Sequence, residues 1–120
     1  PAETPFLMAQ LIDNLAYRLE VADSDDDKLL AILDTHIQFE RIHPFSDGNG
    51  RTGRIVMNYS LLQQGFPPLI IEKETKAQYI EFLGNQDIDG FVQFAKDILE
   101  KEHKRMQAFR NMDQERIEFK

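Results

Sequence analysis

Between His43 and Arg54 the chain reads His-Pro-Phe-Ser-Asp-Gly-Asn-Gly-Arg-Thr-Gly-Arg, bringing an imidazole, a carboxylate, an amide, two guanidiniums and three glycines into one short segment. Gly48 and Gly50 permit positive φ and close backbone approach, so the amides near Asn49 and Gly50 can converge on an anion. A helix starting at about Gly50 adds the positive end of its dipole to that attraction. Arg51 and Arg54, three residues apart, then share one face of its first turn, and two forked guanidiniums beside an amide nest suit a polyphosphate. Asp47 would repel such a ligand unless a divalent cation lay between them. Magnesium fits, because it is commonly held by one or two carboxylates plus the substrate's own phosphates. His43, with Pro44 stiffening its backbone, offers the side-chain type best suited to take a proton from an incoming hydroxyl near neutral pH. Together these groups suggest in-line attack of a hydroxyl on a phosphorus of a magnesium-bound nucleotide, driven by positioning and charge stabilisation.

Two superficially similar phosphate motifs do not survive their context. Gly48, Gly50 and Gly53 match G-x-G-x-x-G, and Glu72 lies about 20 residues on, where a ribose-binding acid would stand. The preceding segment has helical period, however, and no buried strand leads into the glycines. No Gly-Lys-Ser/Thr follows them, so a Walker A loop is absent. The acidic run Asp23 to Asp27 lacks the central glycine and closing glutamate of a calcium loop, and reads as a turn in which Ser24 or Asp25 caps a helix. His36, Glu40 and His43 lie near one helical face, but without H-E-x-x-H spacing His36 reads as a structural residue rather than a metal ligand.

The elements that must position the motif are helical nearly throughout. A first amphipathic helix follows Pro5, with Phe6, Leu7, Leu11, Leu15 and Leu19 along one face. A second runs from about Asp26 to Ile42, directing Leu30, Leu33 and Ile37 to a core, and Pro44 ends it. A third starts at about Gly50, carries Ile55, Val56, Tyr59 and Leu62, and stops at Gly65. An extended, proline-marked connector (66–71) leads to two more helices, about Thr75 to Leu83 and about Gly90 to Met106. The expected fold class is therefore all-α, a compact helical bundle with the active-site loop between two central helices. Residues 1–106 form its catalytic core and 107–120 a polar tail that is helical or frayed.

At 120 residues the chain can bury a core unaided, and with no cysteine it needs neither disulfides nor thiolate-bound metal. That cysteine count fits a reducing, cytoplasmic setting. A net charge of −7 argues against a nucleic-acid partner, and no membrane segment or signal peptide is read. Because the chain opens on Pro1, it is expected to be a domain of a longer protein.

The segment from His43 to Arg54 resembles, at every defined position, the Fic-domain signature H-P-F-x-[D/E]-G-N-G-R-x-x-R. The similarity extends through Met57-Asn58, the Gly65-Phe66-Pro67-Pro68 connector and the region from Tyr79 to Phe94. Fic-domain proteins have an all-α core and mostly transfer AMP from ATP to a Ser, Thr or Tyr hydroxyl of a target protein, releasing pyrophosphate. The resemblance implies that His43 is the general base and that Asp47 holds Mg2+ with ATP as co-substrate. It further implies that Gly48, Asn49 and Gly50 form the anion hole, with Asn49 counted among the catalytic residues. Arg51 and Arg54 would bind the β- and γ-phosphates, and Phe45 would anchor the loop. Tyr79 and Asn85 fall in the region that resembles the adenine-contacting segment. A phosphorylating branch of the superfamily carries lysine at the second motif glycine, so Gly50 places this chain on the AMP-transferring side.

Two family elements are not found in these residues. The β-hairpin flap that docks the target is expected upstream of Pro1, and no glutamate here is followed by Gly or Asn, as the family's inhibitory helix requires. Any inhibitory element would therefore lie on a helix upstream of Pro1 or on a partner chain. Alternatives at the same site are removal of AMP, transfer of another phosphate-containing group, or a catalytically silent ATP-binding interaction module.

Overall fold

The computed structural model describes residues 3–43 and 48–118, with side-chain environments described through residue 114. Five α-helices follow one another: α1 (Thr4–Val21), α2 (Asp25–Ile42), α3 (Asn49–Gln63), α4 (Lys76–Asn85) and α5 (Ile88–Glu118). A single 3-10 turn, Lys73–Thr75, precedes α4. No strand occurs among the described residues, and the connector from Phe66 to Glu72 is extended but unpaired.

Helix α2 is the spine of the bundle. Ser24 adopts extended backbone and its Oγ accepts the Asp27 N–H at 3.1 Å, while Asp25, Asp26 and Asp27 place negative charge at the helix's positive end. Its apolar residues crowd more than one face, so α2 packs against α1, α3 and α5 at once and buries Leu29, Ala31, Ile32, Leu33, His36, Ile37 and Phe39. Leu30, expected in the core, instead points outward at 37% exposure, because the buried stripe passes through its neighbours Leu29 and Leu33.

Helix α3 carries a second correction. Ile55, Val56, Tyr59 and Leu62 are all exposed, and the face turned to α2 is instead Gly53, Met57 and Leu61, a strict four-residue spacing. Gly53 sets that choice. A Cβ there would lie 2.5 Å from Glu40 Oε1 and 3.0 Å from Phe39 Cδ1, so only a glycine lets the two helices approach this closely. In α1, Leu15 and Leu19 pack on the core, whereas Phe6 and Leu7 at its start lie exposed.

The core is completed by Leu69 from the connector, Tyr79 from α4, and Phe91, Phe94, Ala95 and Leu99 from α5. Asn58 Oδ1 accepts the Leu69 N–H at 2.7 Å, fixing the connector where Leu69 can fill the core. Rings of His36, Tyr79, Phe82, Phe91 and Phe94 stack and tilt at centroid separations of 5.5–6.5 Å, tying α4 and α5 to α2. Asp87 Oδ1 accepts the Gly90 N–H at 3.0 Å and starts α5 two residues before Gly90. That helix does not end near Met106 but runs on through the polar tail to Glu118.

Candidate active site

The motif loop lies between two left-handed residues. His43 closes α2 at φ 52 and ψ 60, donating its N–H to the Phe39 carbonyl at 3.1 Å, and its side chain is exposed. Left-handed backbone costs an L-residue of order 1–2 kcal/mol, a conformation that concentrates at functional turns. Gly48 opens α3 at φ 74 and ψ 10, where glycine is at home. Pro44, Phe45, Ser46 and Asp47, between them, lie outside the described residues, so the anchoring role expected of Phe45 and the carboxylate of Asp47 are not placed.

Gly48 at the start of α3 brings no side chain of its own to cap the helix, and the positive end of the helix dipole there favours an anion. Asn49 is buried at 4% exposure, and Gly50 follows it in the first turn. The two arginines fold back over the glycines. Arg51 Nη2 lies 3.3 Å from where a Cβ on Gly48 would sit, and Arg54 Nη1 lies 3.1 Å from the corresponding point on Gly50. Side chains at 48 or 50 would intrude between backbone and guanidinium. The sequence-derived set Gly48, Asn49, Gly50, Arg51 and Arg54 is thus brought together at one helix end, with His43 at the end of the preceding helix.

Beneath this surface lies a polar cluster that links α2, α3 and α4. His36 Nε2 and the Tyr79 hydroxyl are 2.6 Å apart, and both residues are almost fully buried. The His36 pKa is lowered to about 4, chiefly by burial and also by Arg54's positive charge, with the nearby Gly53 backbone partly offsetting both. Burial likewise raises Tyr79 to about 12, opposed by a hydrogen bond from the Arg54 side chain. Glu40 completes the group. Burial raises its pKa while the charges of Arg54 and His43 pull it back, and its Oε1 is buried without a hydrogen-bond partner among the described residues.

His36 therefore has the structural role its sequence context suggested, hydrogen-bonded in the core. Tyr79 is also a core residue, its ring packed between His36 and Phe91. Asn85 ends α4 on the exposed surface. Glu40, which the sequence places on the helical face of His36 and His43, joins this cluster. Its signal in the sequence was its position three residues before His43, where it shares a helical face with His36.

Among the described residues no group of three or more His, Cys, Asp or Glu side chains could hold a metal ion. A magnesium site would therefore draw on the Asp47 carboxylate and the nucleotide's own phosphates, a hard-oxygen donor set that suits this ion. No described helix is long and apolar enough to cross a membrane.

Fold and site together define an all-α domain in which the His43–Arg54 motif joins two central helices. The Fic/DOC family profile matches residues 1–61, and the chain belongs to that family. Protein adenylyltransferase Fic of Drosophila grimshawi is 48% identical over 69 residues, covering 55% of this chain and 14% of that protein. Its counterpart in Aedes aegypti is 45% identical over the same length. The chain thus spans about one-seventh of the length of these curated relatives. A Fic domain containing signaling protein from Bacteroides thetaiotaomicron aligns with a TM-score of 0.73 at 28% identity, over 82% of this chain and 42% of that one.

Proposed function

We propose that this domain transfers AMP from ATP to a hydroxyl side chain of a target protein. The observation that carries the reading is the pair of guanidiniums folded over Gly48 and Gly50 at the start of α3, with an exposed imidazole at the end of the preceding helix. The relatives' name, protein adenylyltransferase, supports the same chemistry.

In this mechanism the β- and γ-phosphates lie against the amides of Gly48, Asn49 and Gly50 and between Arg51 and Arg54. His43 takes the proton of the target hydroxyl as its oxygen forms a bond to the α-phosphorus. The bond from that phosphorus to the α,β-bridging oxygen breaks, and pyrophosphate leaves with its added charge on the two arginines. Mg2+, held by Asp47 and the phosphates, would neutralise charge on the triphosphate. Because the two arginines contact only the leaving portion, loss of either should raise the barrier to transfer.

The test is incubation with magnesium and ATP labelled at either the α- or the γ-phosphate. Label on protein from α-labelled ATP alone is the expected result. Transfer from γ-labelled ATP, or from neither, would overturn the proposal.

A further inference from the structure

Between α1, α2 and α3 lies a cavity of about 110 Å3, walled by Leu11 and Leu15 of α1, Ile32 and Phe39 of α2, and Gly53 and Met57 of α3. Its wall is almost wholly apolar. Thr35 and Ser60 also reach it, but each donates its hydroxyl proton within its own helix, to the Ala31 carbonyl at 2.7 Å and the Val56 carbonyl at 3.0 Å. His36 is the exception. Its Nε2 is engaged with the Tyr79 hydroxyl, whereas Nδ1 is buried without a hydrogen-bond partner among the described residues. The ring edge that carries Nδ1 and Cε1 faces Gly53, since Cε1 lies 3.2 Å from where a Cβ on that residue would sit, and both residues line the cavity.

A buried nitrogen without a partner is costly, so a bound group that pairs with it gains more than the same bond would give at a surface. A water molecule fits poorly, because it needs about two to four polar partners in so apolar a space. An interior cavity of about 150 Å3 can hold benzene. This one has room on the scale of a single six-membered ring, with the exposed residues Ile12 and Val56 at its rim. A hydroxyl on such a ring serves His36 in either tautomer, donating to a bare Nδ1 or accepting from a protonated one. We propose that the cavity binds a small ring molecule, apolar apart from one hydroxyl, with that hydroxyl paired to His36 Nδ1. Among the described residues the site shares only Gly53 with the His43–Arg54 motif, and it therefore gives α3 a second ligand beside the one held at its start.

The probes are phenol and toluene, which have nearly the same shape and differ in the hydroxyl. The chain's four methionines report where they bind. Met8 and Met57 line the cavity, whereas Met106 and Met112 lie exposed on α5. In NMR titrations of methyl-labelled protein, both probes should move the Met8 and Met57 signals saturably and leave those of Met106 and Met112 in place. Phenol should bind about three- to tenfold more tightly than toluene, the scale of one net hydrogen bond. That advantage should vanish when His36→Phe is combined with Tyr79→Phe, a pair that leaves no buried hydroxyl unpaired. Leu11→Phe, whose ring occupies the cavity, should abolish binding of both probes.

Absence of saturable shifts at Met8 and Met57, or equal shifts at all four methionines, overturns the site. Binding undiminished in Leu11→Phe does the same. Toluene binding as tightly as phenol, or a phenol advantage that survives the paired substitution, overturns the pairing with His36 on which the proposal rests. The methyl signals and the phenol-to-toluene ratio are both read first in the wild type, so a variant that fails to fold leaves the decisive comparison intact.

Discussion

Protonation of His36 should set the acid limit of this fold. Its folded pKa is about 4 against an ordinary 6.5, so between these values the unfolded chain holds a proton that the native chain excludes. Stability is accordingly present in full above about pH 6.5 and falls as pH drops toward 4. The difference of about 2.5 units corresponds to about 3 kcal/mol in total, of which about 2 kcal/mol is lost by pH 5. Glu40 acts in the opposite sense. Its raised pKa means the native chain binds that proton more readily, adding some stability as pH falls, and His36→Gln retains the same contribution. The assay is urea unfolding of the wild type and His36→Gln at pH 7.5 and pH 5, comparing the change in each. The wild type should lose about 2 kcal/mol more than the variant, a substantial part of the 5–15 kcal/mol that holds a domain of this size together. Equal losses in the two proteins, within about 0.5 kcal/mol, would refute the claim that a neutral His36 is locked into the core.

Two further substitutions test the scaffold around the site. Gly53→Ala forces a methyl against Glu40 Oε1 and Phe39 and should cost about 1–3 kcal/mol in urea unfolding despite the better helix propensity of alanine; a stabilised variant would contradict the close approach of α2 and α3. Asn58→Ala deletes the acceptor for the Leu69 N–H and should cost about 1–2 kcal/mol, with faster amide exchange at Leu69 as its local signature.

Much of this architecture was legible in the sequence because helical period and punctuation agree with tertiary packing over long stretches. Ser24 capping α2, Gly65 following α3 and the left-handed Gly48 are all local chemistry and can be read locally. The face of α3 could not be. Four of its apolar residues, Ile55, Val56, Tyr59 and Leu62, point outward, and the buried stripe of Met57 and Leu61 is chosen by a glycine whose reason for being small is a carboxylate on another helix. A pattern that counts apolar residues gives no weight to that fit.

The continuation of α5 through the tail was hidden for a different reason. Residues 107–114 are exposed, Phe109 and Met112 among them, and helix persists there without a core to face. At the site, the motif residues revealed themselves by type and spacing, but their support did not. His36, Glu40, Arg54 and Tyr79 are brought together from three helices, across as many as 43 residues of chain. Only the fold brings α2, α3 and α4 together there, which is why the buried contact of Tyr79 with His36 cannot be read from the sequence.

On the proposed mechanism, His43 activates a hydroxyl toward the α-phosphorus of an ATP held by the loop and helix α3. The most direct measurement is single-turnover transfer of α-labelled AMP to protein by wild type and His43→Ala, alongside the ATP affinity of each. The account predicts that transfer falls by about 10²-fold or more in the variant, the usual scale of a lost general base, while ATP affinity stays within about twofold. Transfer by His43→Ala at the wild-type rate would contradict it.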